Sequence, residues 1–335
     1  MPQPDVRSTI VAGPLQSVSV AYRNLAYIAA LVFPIIPNVP PKAKILKYLK
    51  GAWFRDEAGI RGAGSRANRG GYPTSYIDVI TAEYAFAKEV TDEDRKNARV
   101  SGAPPIQPEM EAVEFATDKI DMKKEKLVKA LVADTTWVDG NASGDDAEGL
   151  WAPAGNTNTF LADMITGTKA IHGATGLLPN NLVIDLKTFL ALKQCAEIQD
   201  KIKYTQRGVL TQELLAAIIG DAVGQNGNQF RVHVGSAIYS SAKESKAGTD
   251  FTAASIWEIN SGKGMGFLYF APPAPGLKVP SAGYQAQENY ESGPRQITTW
   301  RESAEHQDVF EVAEKTHVVA VGTDCGYLWR DTYTT

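Results

Sequence analysis

Over the first forty positions the apolar residues keep neither a helical nor an alternating period. Val18, Val20, Tyr22, Leu25, Tyr27, Ile28, Leu31, Val32, Phe33, Ile35 and Ile36 are interleaved with prolines at 2, 4, 14, 34, 37, 40 and 41. That proline density blocks long helices and central strands and suits an extended arm over 1–41. The arm carries too much apolar surface to leave in water, so it must pack on its own chain or on a neighbouring one. From Ala43 to Phe54 the chain mixes Ile45, Leu46, Tyr48, Leu49, Trp53 and Phe54 with lysines, and Tyr72 to Val90 is rich in β-branched and aromatic residues; both stretches read as strands. Between them Gly59, Gly62, Gly64, Gly70 and Gly71 alternate with Arg61, Arg66 and Arg69, a composition that cannot bury a face. The pattern predicts a long β-hairpin with a flexible basic tip.

The strongest helical signal runs from Gln107 to Thr135, with Pro108 and early acids at its start. Met110, Val113, Ile120, Leu127 and Leu131 step along one expected apolar face, a stripe narrow enough for a helix lying across a sheet. Beyond Phe160 the texture is that of a compact α+β unit. Helices are expected at Leu161–His172, Lys187–Ile198 and Thr211–Ile219, and strands at Asn181–Leu186, Phe230–Val234, Ala254–Glu258 and Phe267–Phe270. Prolines 272, 273, 275 and 280 mark a loop leaving that unit, and the segment from Thr298 to Asp331 reads as strands returning to the sheet near the hairpin and long helix.

The 335 residues suffice for two domains or one elaborated one, and 44% hydrophobic with 21% charged residues excludes a disordered or fibrous chain. The formal net charge of −4 argues against non-specific coating of nucleic acid. Sign is unevenly distributed, however. Residues 42–69 hold eight Lys or Arg against Asp56 and Glu57, a net +6, while Asp92, Glu93, Asp94, Asp139, Asp145, Asp146 and Glu148 follow. Such separation suits contact between copies of one chain. Ala26 to Phe33 is too short to span a bilayer, and no signal or membrane anchor is expected.

Catalytic patterns are weak. Cys195 and Cys325 lack any paired spacing and read as buried thiols. The four histidines form no metal motif, and Gly262-Lys263-Gly264 has the wrong order for a phosphate loop and reads as a turn between antiparallel strands. Ser240 and Lys243 have SxxK spacing without the companion motifs of serine acylases. Asp139, Asn141, Ser143 and Gly144 imitate half a calcium loop, but Leu150 stands where a bidentate Glu is needed. No catalytic, cofactor or metal residue is assigned, although a soluble α+β enzyme with a nonlocal site stays open as an alternative.

The order of segments carries a resemblance. Val18-Ser-Val-Ala-Tyr-Arg-Asn24 through Leu31-Val-Phe-Pro34, Gly51-Ala-Trp-Phe-Arg-Asp-Glu57, Ile202-Lys-Tyr-Thr-Gln-Arg-Gly208, Leu210-Thr-Gln-Glu-Leu-Leu215, Pro280-Ser-Ala-Gly-Tyr284 and Gly326-Tyr-Leu-Trp-Arg-Asp331 resemble the major capsid proteins of tailed bacteriophages. The resemblance implies the HK97-like capsid fold: an N-arm over 1–41, an E-loop over 42–90, a P-domain with its spine helix over 91–159, an A-domain over 160–295 and a C-terminal return to the P-domain over 296–335. It also implies hexamers and pentamers closing an icosahedral shell around double-stranded DNA, held without sequence-specific binding. The expected location is the virion, with assembly in the host cytoplasm. A portal, a separate scaffolding protein and a possible decoration protein are the implied partners, with no cofactor and no membrane. A cellular protein nanocompartment on the same fold is the nearby alternative. Expected intersubunit contacts are Tyr22, Arg23, Tyr27 and Phe33 of the arm and Trp53, Arg55, Asp56, Arg61, Arg66 and Arg69 of the hairpin. Some relatives cross-link through an E-loop lysine. This chain has no lysine between Gly51 and Ala87, so no covalent cross-link of that type is expected.

Overall fold

The computed structural model describes residues 23–24, 26–99, 107–141, 144–151, 158–203, 210–225, 229–243, 250–259 and 263–333. In chain order, the arm contributes α1 (Ala29–Val32) and β1 (Ile35–Ile36). The hairpin region gives β2 (Lys42–Tyr48), α2 (Lys50–Trp53) and β3 (Thr74–Ile80). Then follow β4 (Ala82–Thr91), α3 (Asp92–Ala98), the long α4 (Pro108–Asp134) and β5 (Asp145–Asp146). The α+β unit contains α5 (Phe160–Thr175), β6 (Asn181–Asp185), α6 (Leu186–Leu192), α7 (Ala196–Ile202), α8 (Gln212–Ala222), β7 (Arg231–Gly235), β8 (Ile238–Ser240), β9 (Ala253–Ser255), β10 (Glu258–Ile259) and β11 (Lys263–Tyr269). The chain ends with β12 (Gly283–Glu288), β13 (Arg295–Glu302), β14 (Gln307–Ala320) and β15 (Gly326–Arg330).

Two sheets organise these elements. In the first, β14 is flanked by β4 along Gln307–Thr316 and on its other side by β13 and then β12, with β1 parallel to β12. In the second, the order is β5-β15-β11-β6-β7, with β10 pairing β11. Alternation of side chains divides the second sheet cleanly. Leu182, Ile184, Val232, Leu268, Tyr327 and Trp329 face α5, α6 and α8, whereas Val183, Met265, Phe267, Tyr269 and Leu328 face the arm, the end of α4 and Trp257. Both faces are thereby kept from water, as a mixed sheet of apolar strands requires.

Helix α4 occupies the expected span, but its buried line is different. Ala112, Ala116, Ile120, Val128 and Val132 are buried, while Met110 is 59% exposed. The small alanines, four residues apart, let the helix lie close on β4 and β14, where Ala116 and Ile120 meet Val312. Contact with the sheet selects fit rather than bulk.

Several boundaries also depart from expectation. The hairpin strands are shorter than Ala43–Phe54 and Tyr72–Val90: β2 and β3 pair from Lys42↔Ile80 to Tyr48↔Thr74. Lys50–Trp53 is a helical turn, and β4 leaves the hairpin to pair with β14. The change of direction falls at Thr81, whose hydroxyl donates to Glu288 and whose N–H donates to Pro41 O. The helix expected over Lys187–Ile198 breaks into α6 and α7, with the buried Cys195 at the break. The strand expected over Ala254–Glu258 is interrupted because Ile256 and Trp257 turn into the core. At the C-terminal end, β12 lies in the first sheet, and β15 joins the second sheet rather than the one beside the hairpin. Its Leu328, Tyr327 and Trp329 are apolar on alternate faces, as a strand covered on both sides needs. Cys195 and Cys325 are buried and free.

Candidate assembly surface

The arm is tied to its own chain first. Asn24 donates to Ile238 O and accepts from Ile238 N, at 2.9 and 3.0 Å. Arg23 meets Glu114 at 3.6 Å on the surface. The Tyr27 hydroxyl donates to Asp118 at 2.9 Å, and burial, reinforced by that carboxylate, pushes its pKa up to about 12. Glu125, on α4 and 0% exposed, accepts from the N–H groups of Ile28 and Ala29 at the start of α1 and from Trp257 Nε1. Burial pushes its carboxyl up, against the lowering effect of those donors.

Phe33 corrects an expectation. It is fully buried, edge-on to Phe267 and Tyr269 at 6.4 and 5.8 Å, and has no surface to offer a second copy. The apolar content of residues 26–36 is used largely within the chain, because the second sheet needs a cover on that face. Tyr22 lies outside the described residues.

The hairpin behaves differently. Every residue from Trp53 to Thr74 is exposed. Within this stretch Arg61 donates to Ser65 O at 2.7 Å and Arg55 approaches Glu57 at 4.0 Å, both local contacts. Arg66 and Arg69 have no ion-pair partner among the described residues. Ile60, at the tip, is wholly in solvent.

The base of the hairpin, by contrast, is anchored. Tyr48, Trp53 and Tyr72 form an aromatic triangle with centroids 5.4–6.1 Å apart. Lys278, from the proline-rich loop, places Nζ 5.4 Å from the Tyr48 ring and 5.5 Å from Trp53. Nearby, Lys50 pairs with Asp324 at 2.6 Å and donates to Ala174 O. Phe54 lies beside Gly176, a left-handed residue at φ 72° that closes α5. The hairpin is thus held at its root and free at its tip. The aromatic residues were visible in the sequence, but nothing there signalled Lys278 or Asp324 as their partners.

The opposite charge lies on the first sheet. Tyr84, Phe86 and Lys88 face α4, which puts Glu83 and Glu89 on the far face of β4. Glu311 shares that face opposite Ala87, beside Ala85 and Thr298. On that face Glu83, Glu89 and Glu311 outnumber Lys315, which stands opposite Glu83, so the surface is net acidic, complementary in sign to the hairpin tip. Tip and acidic face are different surfaces of one chain.

Polar residues singled out in the sequence make local contacts. Asp139 accepts from the N–H groups of Asn141 and Leu328, and Asp145 accepts from Tyr327, so these carboxylates pin their loop to β15. Ser240 Oγ accepts from Thr252 N. Burial, with Arg231 adding to it, pushes His233 down to about 4. Among the described residues, no three His, Cys, Asp or Glu side chains are placed to hold a metal, and no helix is long and apolar enough to cross a membrane.

No family model matches the chain. The "Major capsid protein" of Burkholderia phage BcepMu is 26% identical over 238 residues, covering 70% of this chain and 72% of that protein. A phage-related protein from Bordetella bronchiseptica RB50 has a similar structure, with a TM-score of 0.65 at 20% identity over 94% of this chain and 95% of the other. The capsid protein of cyanophage P-SCSP1u gives 0.60 at 11% identity, over 96% and 92%. The chain therefore has the α+β, HK97-like fold of phage capsid proteins and is similar in sequence to a phage major capsid protein.

Proposed function

We propose that this chain is the major capsid protein of a tailed bacteriophage, a structural rather than catalytic protein that assembles with copies of itself into an icosahedral shell. The observation that carries this reading is the hairpin: a basic stretch, exposed from Trp53 to Thr74, held rigidly at its root by the Tyr48–Trp53–Tyr72 triangle and Lys278. A segment so arranged has no role within one chain and gains cover only from another. Head-to-tail contact between the tip and the acidic face of β4 and β14 would build hexamers and pentamers, and these would close around double-stranded DNA held without sequence-specific contacts. Assembly in the host cytoplasm, a portal and a separately encoded scaffolding protein belong to the same proposal, as does a decoration protein on the finished shell.

Arg23, Tyr27, Trp53, Arg55, Asp56, Arg61, Arg66 and Arg69 are the proposed intersubunit residues. Tyr27 contributes through its exposed part, since Asp118 holds its hydroxyl. The test is electron microscopy of the purified chain, alone and co-expressed with candidate scaffolding proteins. Closed shells support the reading. A chain that stays monomeric under both conditions contradicts it.

A further inference from the structure

Strand β13 is bonded on one side to β14 and, among the described residues, has no strand on its other side. Residues 296–301 are all exposed. Ile297 is 58% and Trp300 39% exposed, on opposite faces of the strand. The strand contains neither proline nor lysine, the residues that commonly keep a free edge from pairing. An eight-residue edge with apolar groups on both faces between its charged ends is a template for another strand.

We propose that β13 pairs antiparallel with β13 of a second copy about a two-fold axis, joining the two first sheets into one. The proposal rests on the shell reading and adds to it a symmetric contact, unlike the head-to-tail contact of the hairpin. Its occupant is chosen by self-complementarity. An axis normal to the sheet keeps faces together, so opposed residues must share parity in number. Centring the pair on Thr298 would set Arg295 against Arg301 of the second copy, twice, so that two bulky arginines, each already held by carboxylates of its own chain, face each other instead of an apolar side chain. Centring it on Thr299 opposes no like charges. Gln296 then faces Glu302 of the second copy, Thr298 faces Trp300, and Ile297 faces Arg301.

The state of Arg301 favours this register. Its guanidinium is already engaged by Asp92 at 2.6 and 2.7 Å and by Asp308 at 3.2 Å within its own chain. What it presents to Ile297 of the second copy is therefore its aliphatic stem, which can cover an apolar side chain. On the other face the two Trp300 rings approach diagonally across the axis. Pairing removes Ile297 and Trp300 from water together with an edge of unbonded N–H and C=O groups.

Thr299→Cys tests the register directly. At the centre of an antiparallel pair the two Cα atoms stand about 4.5–5.5 Å apart, within disulfide reach. The native cysteines are buried and do not compete. Shells of Thr299→Cys, oxidised by air with copper–phenanthroline and run on a non-reducing gel, should show most chains as dimers that reductant reverses. Adding Ile297→Lys and Trp300→Lys, both at exposed positions, should cut dimer yield at least tenfold. Closed shells whose Thr299→Cys chains remain monomers overturn the pairing and leave the shell reading intact. A wild-type chain that forms no shell overturns that reading and the pairing with it.

Discussion

Replacing Glu125 by alanine should cost the chain about 3 kcal/mol of stability and loosen the arm specifically. The side chain is 0% exposed and accepts from Ile28 N at 3.0 Å, Ala29 N at 2.7 Å and Trp257 Nε1, with no Lys or Arg in ion-pair contact among the described residues. Alanine leaves three buried N–H donors without a partner, each costing about 1–3 kcal/mol. Against that, removing the carboxylate relieves its own desolvation penalty, several kcal/mol for a buried ion. The balance falls near the low end of the donor sum, about 3 kcal/mol. Glutamine keeps one acceptor oxygen and should lose about 1–2 kcal/mol. Urea unfolding of the unassembled chain, followed by tryptophan fluorescence, measures the totals, and hydrogen exchange at Ile28 and Ala29 reports the arm. An alanine variant within about 1 kcal/mol of wild type, with both amides still protected, would show that the carboxylate does not anchor the arm.

Burial raises the Glu125 carboxyl above its unfolded value, so its contribution to stability is full below the ordinary glutamate pKa and is lost as pH rises through the raised one. Wild type should therefore gain on Glu125→Gln as pH falls from neutral through that window, and a difference in urea midpoints that stays flat would contradict it. Lys278→Met should cost under about 1 kcal/mol, as for an exposed cation–aromatic contact, yet speed tryptic cleavage at Arg55; unchanged cleavage would mean that Lys278 does not hold the hairpin root. The triple change Arg61→Glu, Arg66→Glu, Arg69→Glu should leave chain stability within about 0.5 kcal/mol while abolishing shells, because the tip touches nothing in its own chain that it needs. Full shell yield from that variant would remove the tip from the interface. Shells boiled in denaturant should run as monomers, since the hairpin from Gly51 to Ala87 lacks lysine; a ladder of cross-linked species is the contrary result.

What the sequence made legible follows from how local each signal is. Helix α4 was readable because proline, early acids and a periodic run lie within one segment, and the exposed hairpin tip because glycine and arginine cannot form a face. The buried stripe of α4 was not readable, since whether Ala112 or Met110 faces inward depends on how near β14 approaches. Phe33 looked like a free apolar residue of an arm, yet its place is set by Phe267 and Tyr269, far along the chain. The same holds for the hairpin root. Tyr48, Trp53 and Tyr72 were visible as aromatic residues, but their contact with Lys278 exists only after β12 and the loop before it are in place. The sheet that β15 joins is not legible for a related reason: a strand apolar on both faces fits any covered sheet, and only its register with β11 decides which.

Sedimentation velocity of the purified chain under assembly conditions, with and without the proposed scaffolding partner, tests the central claim most directly. The account predicts a closed particle of at least about sixty copies of the 36.2 kDa chain, about 2.2 MDa or more, with trypsin no longer reaching Arg61 and Arg66. A species no larger than a small closed oligomer, with the tip still open to trypsin, would contradict it.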